Sequence, residues 1–203
     1  MQRLRFAGAI AGVGSTSGVR FVVGRWTDSP LGPFADVMVE DASGHRTLLA
    51  PSDEVASFVQ QTYEFDEVCT TPVSVGVTHD GWDVHVEGHL AAYLHLGPRM
   101  PLGWLLRAVP RRLSATPAWA AAIDPVARLL MPGVRTRGTA LEGRREWYGA
   151  TDLHSVTSIG GAWRGVPLGR LADVDPPCRF GFSSTPTRPS VTTVVTTVEL
   201  LGD

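Results

Sequence analysis

The chain has 203 residues, 43% of them apolar and 19% charged, with a formal net charge of −2. That balance excludes a disordered chain, a collagen-like chain and a disulfide scaffold, and it suits one globular domain over residues 1–203. All 18 basic residues are arginine, and lysine and asparagine are absent, as G+C-rich codon usage would produce; a lysine imine, a P-loop lysine and a Ser-Lys dyad are therefore excluded.

Arg3–Ile10 reads as a strand, followed by a Gly/Ser turn and a second strand over Val19–Val23. The glycines at 12, 14 and 18 have the wrong spacing for a dinucleotide loop, and a strand follows them where that loop needs a helix. Asp28–Pro33 is a turn, Phe34–Glu40 a strand, and His45–Ala50 pairs back across the turn at Ala42-Ser43-Gly44. Ser52 caps a helix whose apolar face carries Val55, Phe58, Val59 and Tyr63. Val73–Thr78 and a long strand over Trp82–Leu96 form a second hairpin. Residues 98–133 are punctuated by six prolines, which predicts a helical insertion of three short helices, the first over Leu102–Val109. Val134–Leu141, Arg145–Ile159, Cys178–Phe182 and Val191–Leu201 return to strand patterning. The fold class that follows is α+β: a curved, mostly antiparallel sheet or barrel with a short helical insertion.

No segment reaches the roughly 18 apolar residues that a membrane helix needs. The N-terminal stretch reads as strand and turn rather than a targeting segment, so the expected location is the cytoplasm. Cys69 and Cys178 form no C-x-x-C pair, and two buried free thiols are the expectation there.

Three features carry candidate chemistry. On the strand 79–96 one face holds His79, Asp83, His85, Glu87, His89, Tyr93 and His95. His85, Glu87 and His89 are candidate metal ligands in an alternative reading, although positions i and i+4 of an extended strand lie about 13 Å apart. The same alternation also describes an amphipathic strand with its polar face in water. Residues 99–145 hold nine arginines and two acids, so that stretch is +7 and the remainder −9. It is a candidate surface for an interaction module, or it packs against acids of the same fold. Finally, Arg144, Arg145 and Glu146 stand beside Trp147 and Tyr148, a grouping that can clamp a planar anion or form an ordinary charged strand.

Ser29-Pro30-Leu31-Gly32-Pro33-Phe34-Ala35-Asp36 resembles the S-P-x-G-P-Y-x-E segment of acetoacetate decarboxylase-like proteins. The resemblance implies a β-rich, cone-like barrel around a small-molecule pocket, with Asp36 at the position of a pocket glutamate. Gly143–Gly149 is similar to that family's G-R-E segment, with one extra arginine and with Glu146 at its acid. Ala150 and Thr151 stand where the family's lysine follows, so the resemblance does not extend to decarboxylation through an imine.

The leading expectation is a protein that binds a small organic anion in the sheet's concavity, lined by Asp36, Arg144, Arg145 and Glu146. No cofactor is expected, and whether the protein turns its ligand over stays open. The expected partner is a small molecule. Nucleic acid is disfavoured, since no ribonucleoprotein or helix-turn-helix pattern accompanies the arginines, and self-association into a homo-oligomer stays open.

Overall fold

A computed structural model describes residues 2–110, 116, 119, 137–139, 145–181 and 184–200. The chain opens with β1 (Gln2–Ser15), β2 (Arg20–Asp28), β3 (Phe34–Glu40) and β4 (Arg46–Ala50), followed by α1 (Asp53–Gln60) and β5 (Glu67–Thr70). Next come β6 (Val73–Val77), β7 (Gly81–Val86), β8 (Leu90–Arg99) and α2 (Pro101–Ala108). The described remainder holds β9 (Arg137–Thr139), β10 (Arg145–Trp163), β11 (Val166–Pro167), β12 (Leu171–Ala172) and β13 (Ser190–Leu200).

The strands form one sheet in the order β5-β4-β3-β2-β1-β13-β10-β8-β7-β6, with β9 and β11 beside β10 and β12 beside β1. Every pairing is antiparallel except β4 with β5, which α1 joins as a parallel crossover. The sheet curls into a half-barrel, so that Phe21, Val23, Val37 and Val39 meet Trp82, Val84 and Leu94 in one core. This is the curved α+β architecture that the strand-and-turn patterning predicts.

The opposite face of β2–β4 is covered as well. Ser52 Oγ accepts the Val55 N–H at 3.3 Å, which caps α1, and Val55, Ala56 and Val59 pack on Leu48 and Ala50. Residues 173–181 cross the same face, where Val174, Cys178 and Phe180 pack on Val22. Coverage on both faces explains why Arg20–Gly24 is continuously buried rather than alternating.

Two expectations need correction, and one strand was not expected. The long strand expected over Trp82–Leu96 is two strands, β7 and β8, joined at Glu87-Gly88-His89. Gly88 takes φ +72°, and the His89 N–H donates to Val86 O at 3.0 Å, which closes the turn. Val86 and Leu90 are in register, so the even-numbered side chains stay in the core on both strands. Residues 178–181 are irregular rather than a strand, because Pro176 and Pro177 precede them and the Arg179 N–H goes to the Glu40 carboxylate at 2.8 Å instead of a neighbouring strand. The short parallel strand β5 was not foreseen; four residues leave too little pattern to read. Of the proline-punctuated stretch 98–133, α2 is described and most of the rest lies outside the described residues, as does most of Val134–Leu141.

Candidate functional site

Alternation along β3 sends Val37 and Val39 into the closed core and Asp36 and Met38 to the other face, under α1. Asp36 is 4% exposed. Its register partner on β2 is Gly24, where a Cβ would lie 2.4 Å from Asp36 Oδ1; only a glycine leaves the carboxyl its room. The indole Nε1–H of Trp26 donates to Asp36 Oδ1 at 3.0 Å. Burial pushes the Asp36 carboxyl up to about 7, against the opposing pull of that hydrogen bond. The walls beside it are aromatic: Phe6 packs on Trp26 at 5.8 Å and on Phe58 at 5.0 Å between ring centroids.

Glu146 reaches the same chamber from β10 and is 3% exposed. Its carboxylate accepts the Tyr148 hydroxyl at 2.7 Å and the Thr62 hydroxyl at 3.1 Å. The hydroxyl of Tyr63, just beyond α1, hydrogen-bonds to that of Tyr148. The resulting chain runs from Tyr63 through Tyr148 to Glu146. Burial, followed by the charge of Glu146, holds both phenols well above their ordinary value, so they stay protonated as donors. Thr196, 5% exposed, lines the chamber too, and its Oγ1 has no hydrogen-bond partner among the described residues.

This acidic chamber has a volume of about 70 Å³. A second cavity of about 140 Å³ lies beside it, with Ile10, Val22, Met38, Tyr63 and Tyr148 in both linings. The tyrosine pair is therefore part of the wall that the two share. The larger cavity is otherwise walled mainly by apolar groups from three directions: Leu102 and Leu106 of α2, Leu153 and Val194 of the sheet, and Cys178 and Phe180 of the crossing segment. A bulge at Thr151 lets Tyr148, Ala150 and Leu153 share this face of β10. Burial pushes the Cys178 thiol up to about 12, so it lines the cavity as a neutral group. Cys178 and Cys69 are both free thiols; Cys178 is buried, as expected, whereas Cys69 is half-buried.

An ion cluster centred on the buried Glu40 carboxylate holds the crossing segment in place. Arg20 and Arg179 bracket the Glu40 carboxylate at 3.0 and 2.9 Å, and Arg20 also donates to Pro176 O at 2.6 Å. The Glu40 side chain is 0% exposed and that of Arg20 8%.

The structure thus brings Asp36 and Glu146 into one chamber. Arg145 is not among its lining residues: it is exposed, and alternation turns it to the face opposite Glu146. Arg144 lies outside the described residues. The chamber is also not in the concavity of the sheet, as expected, but on the face beneath α1. His85 is exposed and faces away from the core, while Glu87 and His89 belong to the hairpin loop, where His89 Nδ1 sits 2.9 Å from Glu87 O. No group of three His, Cys, Asp or Glu able to hold a metal ion occurs among the described residues. Asp152 is held by Arg99 at 2.7 Å and lies 3.8 Å from His154. No described helix is long and apolar enough to cross a membrane.

Sequence reasoning missed Gly24, Trp26, Tyr63 and Tyr148 as site residues. One signal was present: Glu146 and Tyr148 are two apart on a strand and so share a face. Nothing local connects Tyr63 to them, 85 positions away.

No family model matches the chain, and no curated protein sequence matches it. Among solved structures it is similar to acetoacetate decarboxylase from Legionella pneumophila, at 9% identity and a TM-score of 0.47, over 100% of this chain and 88% of the other. At that identity the likeness is one of fold alone.

Proposed function

We propose that the protein binds a small, largely apolar molecule in the cavity beneath α2, with a polar end turned toward Tyr63, Tyr148 and the two carboxyls beyond them. The observation that carries this reading is the pair of adjoining spaces, one mainly apolar and one acidic, with the two tyrosines in the wall between them. Mostly apolar walls with a few convergent polar groups are what small-molecule sites require.

The organic anion expected from Arg144 and Arg145 fits this site poorly. Among the described residues lining both spaces the ionisable acids are Asp36 and Glu146, and no arginine is present. A neutral alcohol or ketone, or an amine, complements the buried Asp36 carboxyl and the tyrosine hydroxyls better than a carboxylate does. Asp36 adds a group able to accept or release a proton near neutral pH.

Thermal-shift titration with matched alkyl and aryl alcohols, ketones and amines tests the reading. Alcohols, ketones or amines are expected to raise the melting temperature of the native chain. The effect should vanish in Ala150→Phe, whose ring would occupy the larger cavity. Stabilisation by these compounds that persists in Ala150→Phe would place them elsewhere and defeat the proposal.

A further inference from the structure

The concave face of the same sheet holds a space of different character. A cleft of about 610 Å³ opens along the N-terminal half of β1. Its size falls within the range of about 300–1,000 Å³ usual for small-molecule sites. It exists because β1 carries Ala7, Gly8 and Ala9 there. Further along, Ala11 and Val13 are covered by the closed core, but at Ala7 and Ala9 the small side chains leave the space between β1 and Trp82 and Leu96 unfilled.

Among the described residues this cleft is lined by two arginines and by no carboxylate. Arg5 and Arg25 line it from adjacent strands. Seven other described arginines are engaged with carboxylates: Arg3, Arg20, Arg46, Arg99, Arg107, Arg164 and Arg179. Arg5 and Arg25 have no side-chain hydrogen bond or ion pair among the described residues. Arg145 lies on this same face, since its register partner Glu199 is also the partner of Arg3. The facing acids are Glu199, taken by Arg3 at 3.0 Å, Asp152, held by Arg99 at 2.7 Å and 3.8 Å from His154, and the exposed Asp28, in register with Ala7 and bonded to neither lining arginine. His154 and the hydroxyls of Thr27, Thr151 and Thr193 complete the polar lining.

We infer that this cleft is a second ligand site, for a small amphipathic carboxylate. The apolar body lies on Ala7, Ala9, Trp82 and Leu96, and the carboxylate meets the guanidinium groups of Arg5 and Arg25. An apolar floor alone would admit any hydrophobe; two uncommitted guanidiniums at its edge select an anion, because each presents a fork of donors suited to a carboxylate. The site lies across the sheet from the acidic chamber and does not depend on the reading given to it.

Isothermal titration of the full chain with octanoate, 1-octanol and inorganic phosphate tests the assignment. Octanoate is expected to bind at one per chain. Octanol, lacking the charge and titrated into Ala150→Phe so that the cavity beneath α2 is filled, and phosphate, lacking the tail, should each bind at least about tenfold more weakly. Arg25→Ala, at a half-buried position, should weaken octanoate about tenfold, and Arg5→Ala, at an exposed one, by less. Neither arginine makes a bond that the fold relies on, so both variants should melt as the native chain does. Ala150→Phe should leave octanoate affinity unchanged. The assignment is overturned if octanoate gives no binding at millimolar concentration, if Arg25→Ala binds it as well as the native chain, or if Ala150→Phe abolishes its binding.

Discussion

Asp36→Asn isolates the energetic cost of keeping a carboxyl in the acidic chamber. In the folded chain burial raises this carboxyl from its ordinary 3.8 to about 7, so the folded state binds a proton more tightly than the unfolded state does. The sign follows directly. Below pH 3.8 both states are protonated and there is no penalty. As pH rises toward 7 the unfolded state gives up the proton first and is thereby stabilised relative to the folded state, so stability falls, and above pH 7 the loss is complete. The gap between 3.8 and about 7, at about 1.36 kcal/mol for each pH unit, sets a loss of about 4 kcal/mol. Water entering the chamber would reduce it to roughly half. Asparagine is close in shape to the protonated acid and keeps an acceptor for the Trp26 indole, but it cannot ionise. Urea denaturation of both proteins from pH 4 to 9 reads the effect. The variant is expected to match the native chain near pH 4 and to exceed it by roughly 2–4 kcal/mol at pH 8. Asp66 and Glu67, held near 2 chiefly by hydrogen bonds from Arg46 and Arg164 respectively, titrate below this window and cancel in the difference. A constant difference between the two proteins across the whole range would mean that Asp36 ionises as it does in water, and would refute a dry chamber.

Two further substitutions probe the supports of the site. Glu40→Ala leaves the Arg20 guanidinium, 8% exposed, without its counter-charge and releases the segment carrying Cys178 and Phe180; a loss of about 3–5 kcal/mol in denaturant unfolding is expected. Gly24→Ala sets a methyl group 2.4 Å from Asp36 Oδ1 and 2.8 Å from Trp26 Nε1, and is expected to cost about 1–3 kcal/mol on the same assay, since the two side chains must separate to admit it. Neutral behaviour of either variant would show that the groups are not packed as described.

The sequence by itself determined the class of fold and the limits of its chemistry. Period-two alternation in Phe34–Glu40 and Trp82–Val86, turn residues between them and the cap at Ser52 are local properties, and they identify strands, hairpins and α1 without reference to the rest of the chain. The absence of lysine removes imine chemistry in any conformation. Asp36 and Glu146 were legible as acids inside strands; that they share a chamber was not, because 110 positions separate them and the order β3-β2-β1-β13-β10 brings them onto one face. The tertiary structure alone decided which face each strand residue uses. Because adjacent strand residues point opposite ways, Glu146 went beneath α1 and Arg145 to the other side, where the unpaired Arg5 and Arg25 already stand. It also decided where the sheet is left unfilled. Ala7 and Ala9 are unremarkable as letters and become the floor of a cleft only because the curl of the sheet holds Trp82 and Leu96 opposite them without filling the space between.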